Sequence, residues 1–154
     1  MWSVLAHSAV QLSHTGDTVE TTLATVVVPA NTIGPNGAIR ITSRWTCTNN
    51  ANVKSGRIRF GGETGVGTLY MATAIASNGG LSSQILISNR NAANSQFGAP
   101  NGSNGGFGAT GAGTFATSAF DTTANVDLVF AALLATGTDT VSLEDYLIET
   151  FYGA

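Results

Sequence analysis

Residues 37–50 read GAIRITSRWTCTNN, and their apolar side chains recur at every second position. Ile39, Ile41, Ser43, Trp45 and Cys47 share one face of an extended chain, and Arg40, Thr42, Arg44, Thr46 and Thr48 share the other. A period of two belongs to β-strands, and a strand with one apolar and one polar face has to lie on a core. That pattern constrains the fold more than any other feature, because it recurs along the chain and no convincing helical period competes with it.

Further candidate strands are Ser3–Leu12, Thr18–Val28, Lys54–Phe60, Leu69–Ala76, Leu81–Ser88 and Thr114–Phe120. Turn chemistry separates most of them: His-Thr-Gly-Asp at 14–17, Gly-Pro-Asn-Gly at 34–37, Asn-Asn-Ala-Asn at 49–52 and Ser-Asn-Gly-Gly at 77–80. Near the C-terminus NVDLVFAALLATG and DTVSLEDYLIETFYG flank a Thr-Gly-Thr-Asp turn and read as a hairpin. In the second run Val141, Leu143 and Leu147 alternate with Thr140, Ser142, Glu144 and Tyr146. The expected fold is all-β: one domain over 1–154, an antiparallel β-sandwich of about eight strands.

A chain of 154 residues is long enough to bury a core as one domain. Charged residues make up only 10% of it and hydrophobic ones 43%, so an isolated copy has a thinly ionised surface of the kind that ends against something else. A net charge of −3 argues against gripping nucleic acid. No apolar run reaches the roughly 18 residues of a membrane span, and MWSVLAHSAVQLSH lacks a basic lead. The single cysteine, Cys47, excludes an internal disulfide and reads as a small buried hydrophobe.

Residues 89–113, NRNAANSQFGAPNGSNGGFGATGAG, show no period of their own and read as a long Gly/Asn-rich loop. Glycine allows close backbone approach and asparagine bonds foreign backbone readily. A neighbouring subunit is expected to order the stretch, with Phe97, Phe107 and Phe115 burying against it; a disordered surface loop is the alternative.

Sites of chemistry are sparse. HTGDTVE at 14–20 gathers His14, Asp17 and Glu20, but a Gly-Asp turn with solvated polar groups explains it, and a metal site with His7 has little behind it. NGSNGG at 101–106 fails the spacing of a nucleophilic serine turn, and its Asn-Gly-Ser sequon is too common to weigh. No catalytic, cofactor or metal residues are therefore expected. Charge placement is more telling. Arg40, Arg44, Lys54, Arg57 and Arg59 hold five of the six basic residues, while Asp139, Glu144, Asp145 and Glu149 crowd the last sixteen positions. These groups either pair within one sheet or form complementary patches on adjoining subunits, where charge sets orientation more than affinity. The candidate contacts are thus Arg40, Arg44, Arg57, Arg59, Phe97, Phe107, Phe115, Glu144, Asp145 and Glu149.

Three stretches carry a family resemblance: SHTGDTVETTLATVVVPANTIGPNGAIRITSRWTCTNNANVKSGRIRFGG at 13–62, ISNRNAANSQFG at 87–98 and DTTANVDLVFAALLATGTDTVSLEDYLIE at 121–149. In order, Gly-Asp-Thr, Ile-Gly-Pro-Asn-Gly, Trp, Arg-x-Arg-Phe-Gly-Gly and Asn-Arg-Asn resemble a module of small tailed-bacteriophage structural proteins. The resemblance implies a jelly-roll domain on the virion surface, commonly a trimer, in a head decoration protein or a tail or fibre tip. It brings no catalytic residues and no cofactor. A start at Met1 with one domain and no heptad or collagen-like stem favours a capsid decoration, or cement, protein, whose partners are its own copies and the major capsid protein. The alternative is a head-fibre or tail domain that binds host glycans through Trp2, Tyr70, Tyr146 or Tyr152. An enzyme such as a depolymerase has no framed pair of carboxylates behind it.

Overall fold

The computed structural model describes residues 1–100 and 115–154, of which 99 and 100 by backbone only. Eleven strands lie among them: β1 (Trp2–Ser8), β2 (Leu12–His14), β3 (Thr21–Val28), β4 (Ala38–Cys47), β5 (Lys54–Phe60), β6 (Thr68–Ile75), β7 (Gly80–Asn89), β8 (Gln96–Pro100), β9 (Phe115–Ser118), β10 (Val126–Leu134) and β11 (Val141–Phe151). There is no helix among the described residues. The strands form two antiparallel sheets. The larger runs β1-β11-β4-β7-β8-β9, with β2 also paired to β11, and the smaller runs β3-β10-β5-β6.

The connectivity is that of a jelly roll. With β1 and β2 taken as one interrupted strand and the β8–β9 hairpin set aside, eight strands remain. They pair first-eighth-third-sixth in one sheet and second-seventh-fourth-fifth in the other. The expected all-β sandwich of about eight strands is thus present, with the hairpin added to one side.

The core lies between the sheets. Ile39, Ile41 and Trp45 of β4, Ile87 of β7 and Leu143 and Ile148 of β11 meet Ile58 and Phe60 of β5, Tyr70 of β6, and Leu128, Phe130 and Leu134 of β10. All are at most 2% exposed, and each such side chain contributes about 1.5–3 kcal/mol by leaving water. One ring pair ties the sheets together, Trp45 of β4 to Phe130 of β10 with centroids 6.5 Å apart, while Phe60 meets Tyr70 edge-on at 6.5 Å within the smaller sheet.

Four expectations need correcting. The two C-terminal runs are not a hairpin: β10 sits inside the smaller sheet and β11 inside the larger, and residues 135–140 cross between them. Each is flanked by strands from elsewhere in the chain, which is why β10 is buried along nearly its whole length. The alternation in β11 also breaks. A bulge between Leu143 and Asp145 absorbs Glu144, so that Ile148 faces the core at 0% exposure while Leu147 turns outward. Thirdly, Ser3–Leu12 is not one strand but β1 and the start of β2, with a register shift between Val4 and Ala6.

Lastly, the loop expected over 89–113 contains strand β8, which pairs with β7 and β9. Its anchor is Gln96, fully buried. Gln96 Nε2 donates to Asn89 Oδ1 at 2.9 Å and to Phe120 O at 2.9 Å, while Oε1 accepts from Phe120 N at 2.9 Å and Ser118 Oγ at 3.0 Å. Buried Asn89 in turn donates to Gly34 O and Thr122 Oγ1. The amide side chains of Asn89 and Gln96 therefore bind their own chain. Residues 101–113, with Phe107 and the sequon at 101–103, lie outside the described residues.

Candidate functional site

The outer face of the larger sheet collects the most candidate residues. Because β4 and β11 are neighbours, the basic side of one meets the acidic side of the other in register: Arg40 opposite Glu149 and Arg44 opposite Asp145. Arg40 Nε donates to Glu149 Oε2 at 2.7 Å. Arg44 Nε donates to both Asp145 oxygens at 2.9 Å, and its terminal nitrogen bonds the same carboxylate. The Arg44 hydrogen bonds hold the Asp145 carboxyl below its usual range, and those of Arg40 do the same for Glu149. Trp2 extends the row, with the Arg40 guanidinium 4.5 Å from its ring centre and Phe151 tilted against it at 5.7 Å.

The Arg44–Asp145 bridge forms a wall between two clefts. One, of about 550 Å³, is lined by Thr46, Leu81, Ser82 and Glu144 besides the pair itself. The other, of about 240 Å³, is lined by His7, Thr42, Tyr146 and Leu147. Glu144 Oε1 accepts from Gln11 Nε2 at 2.8 Å and from the Thr46 hydroxyl. Those bonds, Thr46 first, hold its carboxyl below the usual range. The larger cleft thus presents carboxylate, guanidinium and hydroxyl groups around an apolar leucine, which is chemistry suited to a polyhydroxylated ligand.

The other candidates lie elsewhere. Arg57 and Arg59 of β5 face outward from the smaller sheet and both bind Glu20, Arg57 Nη1 at 2.5 Å and Arg59 Nε at 2.6 Å. Glu20 is therefore not a solvated turn residue. Burial alone would raise its carboxyl, but hydrogen bonds from Arg59, Thr64 and Arg57 outweigh that and hold its pKa at about 2. Phe97 and Phe115 stack at 4.7 Å on the β8–β9 hairpin, with the Arg90 guanidinium 5.2 Å from the Phe97 ring. Phe115 is 50% exposed.

Sequence reasoning missed the cluster around Lys54. This lysine is fully buried and its Nζ donates to Asn50 Oδ1 at 2.8 Å and Asn50 O at 3.2 Å. Asn50 and Asn52 donate to the carboxylate of buried Asp139 at 2.7 and 3.0 Å, lowering its pKa. The Asn-Asn-Ala-Asn turn was the available signal, since asparagines beside a lone lysine can satisfy it. Cys47 is half-buried, not buried, and its thiol donates to Asn78 O at 3.3 Å; burial pushes its pKa up. His14 Nε2 lies 3.4 Å from Asp17 Oδ1 without the alignment of a hydrogen bond. No group of three or more His, Cys, Asp or Glu converges on a metal position among the described residues. Of the aromatic residues considered for glycans, Tyr70 is buried, Tyr146 stacks on Phe130 at 4.7 Å, and Tyr152 is 60% exposed.

The chain matches no protein-family model and no curated protein sequence. Among solved structures it is similar to the CBM2 module of the evolved Dit of Lactobacillus casei BL23 phage J-1, with 11% identity and a TM-score of 0.39 over 81% of this chain and 67% of that one. It is similar to VP2 of infectious bursal disease virus, with 14% identity and a TM-score of 0.46, covering 99% of this chain and 33% of the VP2 chain. Lectin I of Ulex europaeus follows with 8% identity and a TM-score of 0.39, covering 97% and 91%. Likeness at this level carries no argument about what the chain does.

Proposed function

We propose that the chain is a non-catalytic capsid decoration protein, a jelly-roll clamp that docks as a trimer on the outer shell of a tailed-bacteriophage head and stabilises it. The observation that carries this reading is how the charges are used. Arg40, Arg44, Arg57 and Arg59 are bridged to carboxylates of the same chain and Lys54 is buried, leaving Arg90 as the one basic residue in neither state. The remaining surface shows Val4, Val10, Val19, Val27, Val53, Val66, Phe115 and Tyr152 to solvent. A surface with so little free basic charge and so many exposed apolar side chains suits lasting protein contact, and the resemblance to phage structural modules supports a virion partner, which we take to be the shell. Molecules that bind only the assembled lattice stabilise it by mass action. The test uses emptied heads lacking the protein. Purified chain is expected to co-sediment with them and raise the temperature at which they break; no binding, or binding without that rise, would overturn the reading.

The larger cleft favours a second reading, a receptor-binding domain for host glycans. Under it, a glycan array returns a saturable hit that Arg44→Ala abolishes while leaving the folded state intact. Adsorption lost on deletion, with head stability unchanged, would favour this reading over the first.

A further inference from the structure

The two sides of the sandwich are finished differently. On one side the β8–β9 hairpin covers the end of the smaller sheet: Tyr70 of β6 and Ser118 of β9 share a hydrogen bond of 2.7 Å, and Gly98 of β8 packs against the Tyr70 ring. On the other side the smaller sheet ends at β3, which pairs with β10 and with no other strand among the described residues. Its outer row of N–H and C=O groups is a template for another strand.

Most of the usual protections of an edge are missing there. Thr21–Val28 reads TTLATVVV, with no charge, no proline, no glycine and six β-branched residues. A bulge disturbs the register only near its start, between Ala24 and Thr22, and Ala24–Val28 is regular. Thr25 is exposed, and Val27 is 48% exposed on the same face.

We propose that β3 is a two-fold docking edge, pairing antiparallel with β3 of a second copy so that two four-stranded sheets become one of eight strands. The occupant follows from the composition. Antiparallel pairing about a two-fold axis sets each segment against itself, so any net charge in it would meet its own sign; this segment has none. Centred on Val26, the pairing puts Thr25 opposite Val27 of the other copy, and both Val27 side chains leave water. The nearest unbridged charge, Asp127, stands opposite Val27 one strand back on β10. Its symmetry mate then lies three strand spacings away, about 14 Å, beyond the screening length of about 8 Å at physiological salt. The contact goes beyond the decoration reading and does not rest on it; on a shell it would join one trimer to the next.

Two measurements test the edge. In sedimentation velocity across a concentration series, the wild type is expected to double in mass, and the pair Thr25→Lys with Val27→Lys to halve that mass with unfolding temperature little changed. In a Cys47→Ser background, Thr25→Cys mixed with Val27→Cys is expected to crosslink on mild oxidation several-fold more than either alone. Directly opposed Cα atoms of about 4.5–5.5 Å fall within disulfide reach. Wild type that never doubles, lysine variants that keep its mass, or crosslinking no greater in the mixture would each overturn the proposal. So would lysine variants that lose only the binding to emptied heads, since the edge would then serve a shell strand.

Discussion

Glu20, one residue before β3, accepts a hydrogen bond at 2.6 Å from Nε of Arg59 on β5, reaching across β10, the strand between them. On the face where they meet, Val129 and Ala131 of β10 stand opposite Arg59 and Arg57 and are 0% and 2% exposed. A sheet with only one partner layer thus buries its middle strand on both faces, using arginine stems and one carboxylate as the roof. The outer side of the larger sheet uses the same device, with Arg40 and Arg44 against Glu149 and Asp145. Basic charge in this chain is a construction material, and of the six basic side chains only Arg90 is neither bridged nor buried.

The first prediction concerns pH. The Glu20 carboxyl is depressed from 4.5 to about 2. Its contribution is complete above the unfolded value and is lost as pH falls from about 5 towards 2. After allowance for solvent screening the loss is about 1–2 kcal/mol. Urea midpoints measured from pH 7 down to 3 are expected to fall in the wild type below pH 5. In Glu20→Gln they start lower at pH 7 and fall less. Parallel curves for the two proteins would refute the assignment.

Gln96 is the second point of leverage. Replacing it by Met keeps volume but strands Asn89 Oδ1, Phe120 O and Phe120 N, all served by its amide. Losing several buried partners with partial rescue by water costs about 3 kcal/mol. Hydrogen exchange is expected to speed up in β8 and β9 well before the rest of the sandwich, since the amide joins that hairpin to the body. Uniform loosening, or none, would mean that the hairpin is held by its ladder alone.

The bulge at Glu144 makes a third, paired prediction. Ile148→Ala empties a fully buried site and is expected to cost about 2–5 kcal/mol, whereas Leu147→Ala trims a cleft wall on the outer face and costs about 1 kcal/mol or less. Strict alternation from Val141 predicts the opposite order, so unfolding free energies of the two variants decide the register.

Strands were legible wherever period two ran without interruption. Residues 37–50 placed Ile39, Ile41 and Trp45 in the core and Arg40 and Arg44 outside, and Lys54–Phe60 was found to the residue. What failed was what period two does not encode. A one-residue bulge inverted the phase of β11, and two runs joined by a short turn proved to belong to different sheets. The partner of Arg57 and Arg59 lay 37 and 39 residues upstream, in a stretch that reads locally as a turn. Gln96 was hidden for a related reason: a polar residue amid Asn and Ala looks like loop until the groups it serves, from Asn89 to Phe120, are brought together by the fold.

The last prediction concerns Gly98, where glycine is needed for space. A Cβ there would overlap the Tyr70 ring and press on Leu86 O at 3.2 Å. Tyr70 is 1% exposed, pinned edge-on to Phe60 and bonded through its hydroxyl to Ser118. Neither the ring nor the β7 backbone can retreat without opening the core, so Gly98→Ala is expected to cost about 1–3 kcal/mol as overpacking. Ala is otherwise the better strand residue, because it removes the entropy penalty of glycine; a stabilised Gly98→Ala variant in thermal melts would show that the hairpin sits farther from β6 than this. The companion change Tyr70→Phe separates the two terms. It keeps the ring and removes the Ser118 bond, and its expected cost is about 1 kcal/mol. Adding Gly98→Ala to Tyr70→Phe should then cost less than adding it to the wild type, since the freed ring can shift away from the new methyl.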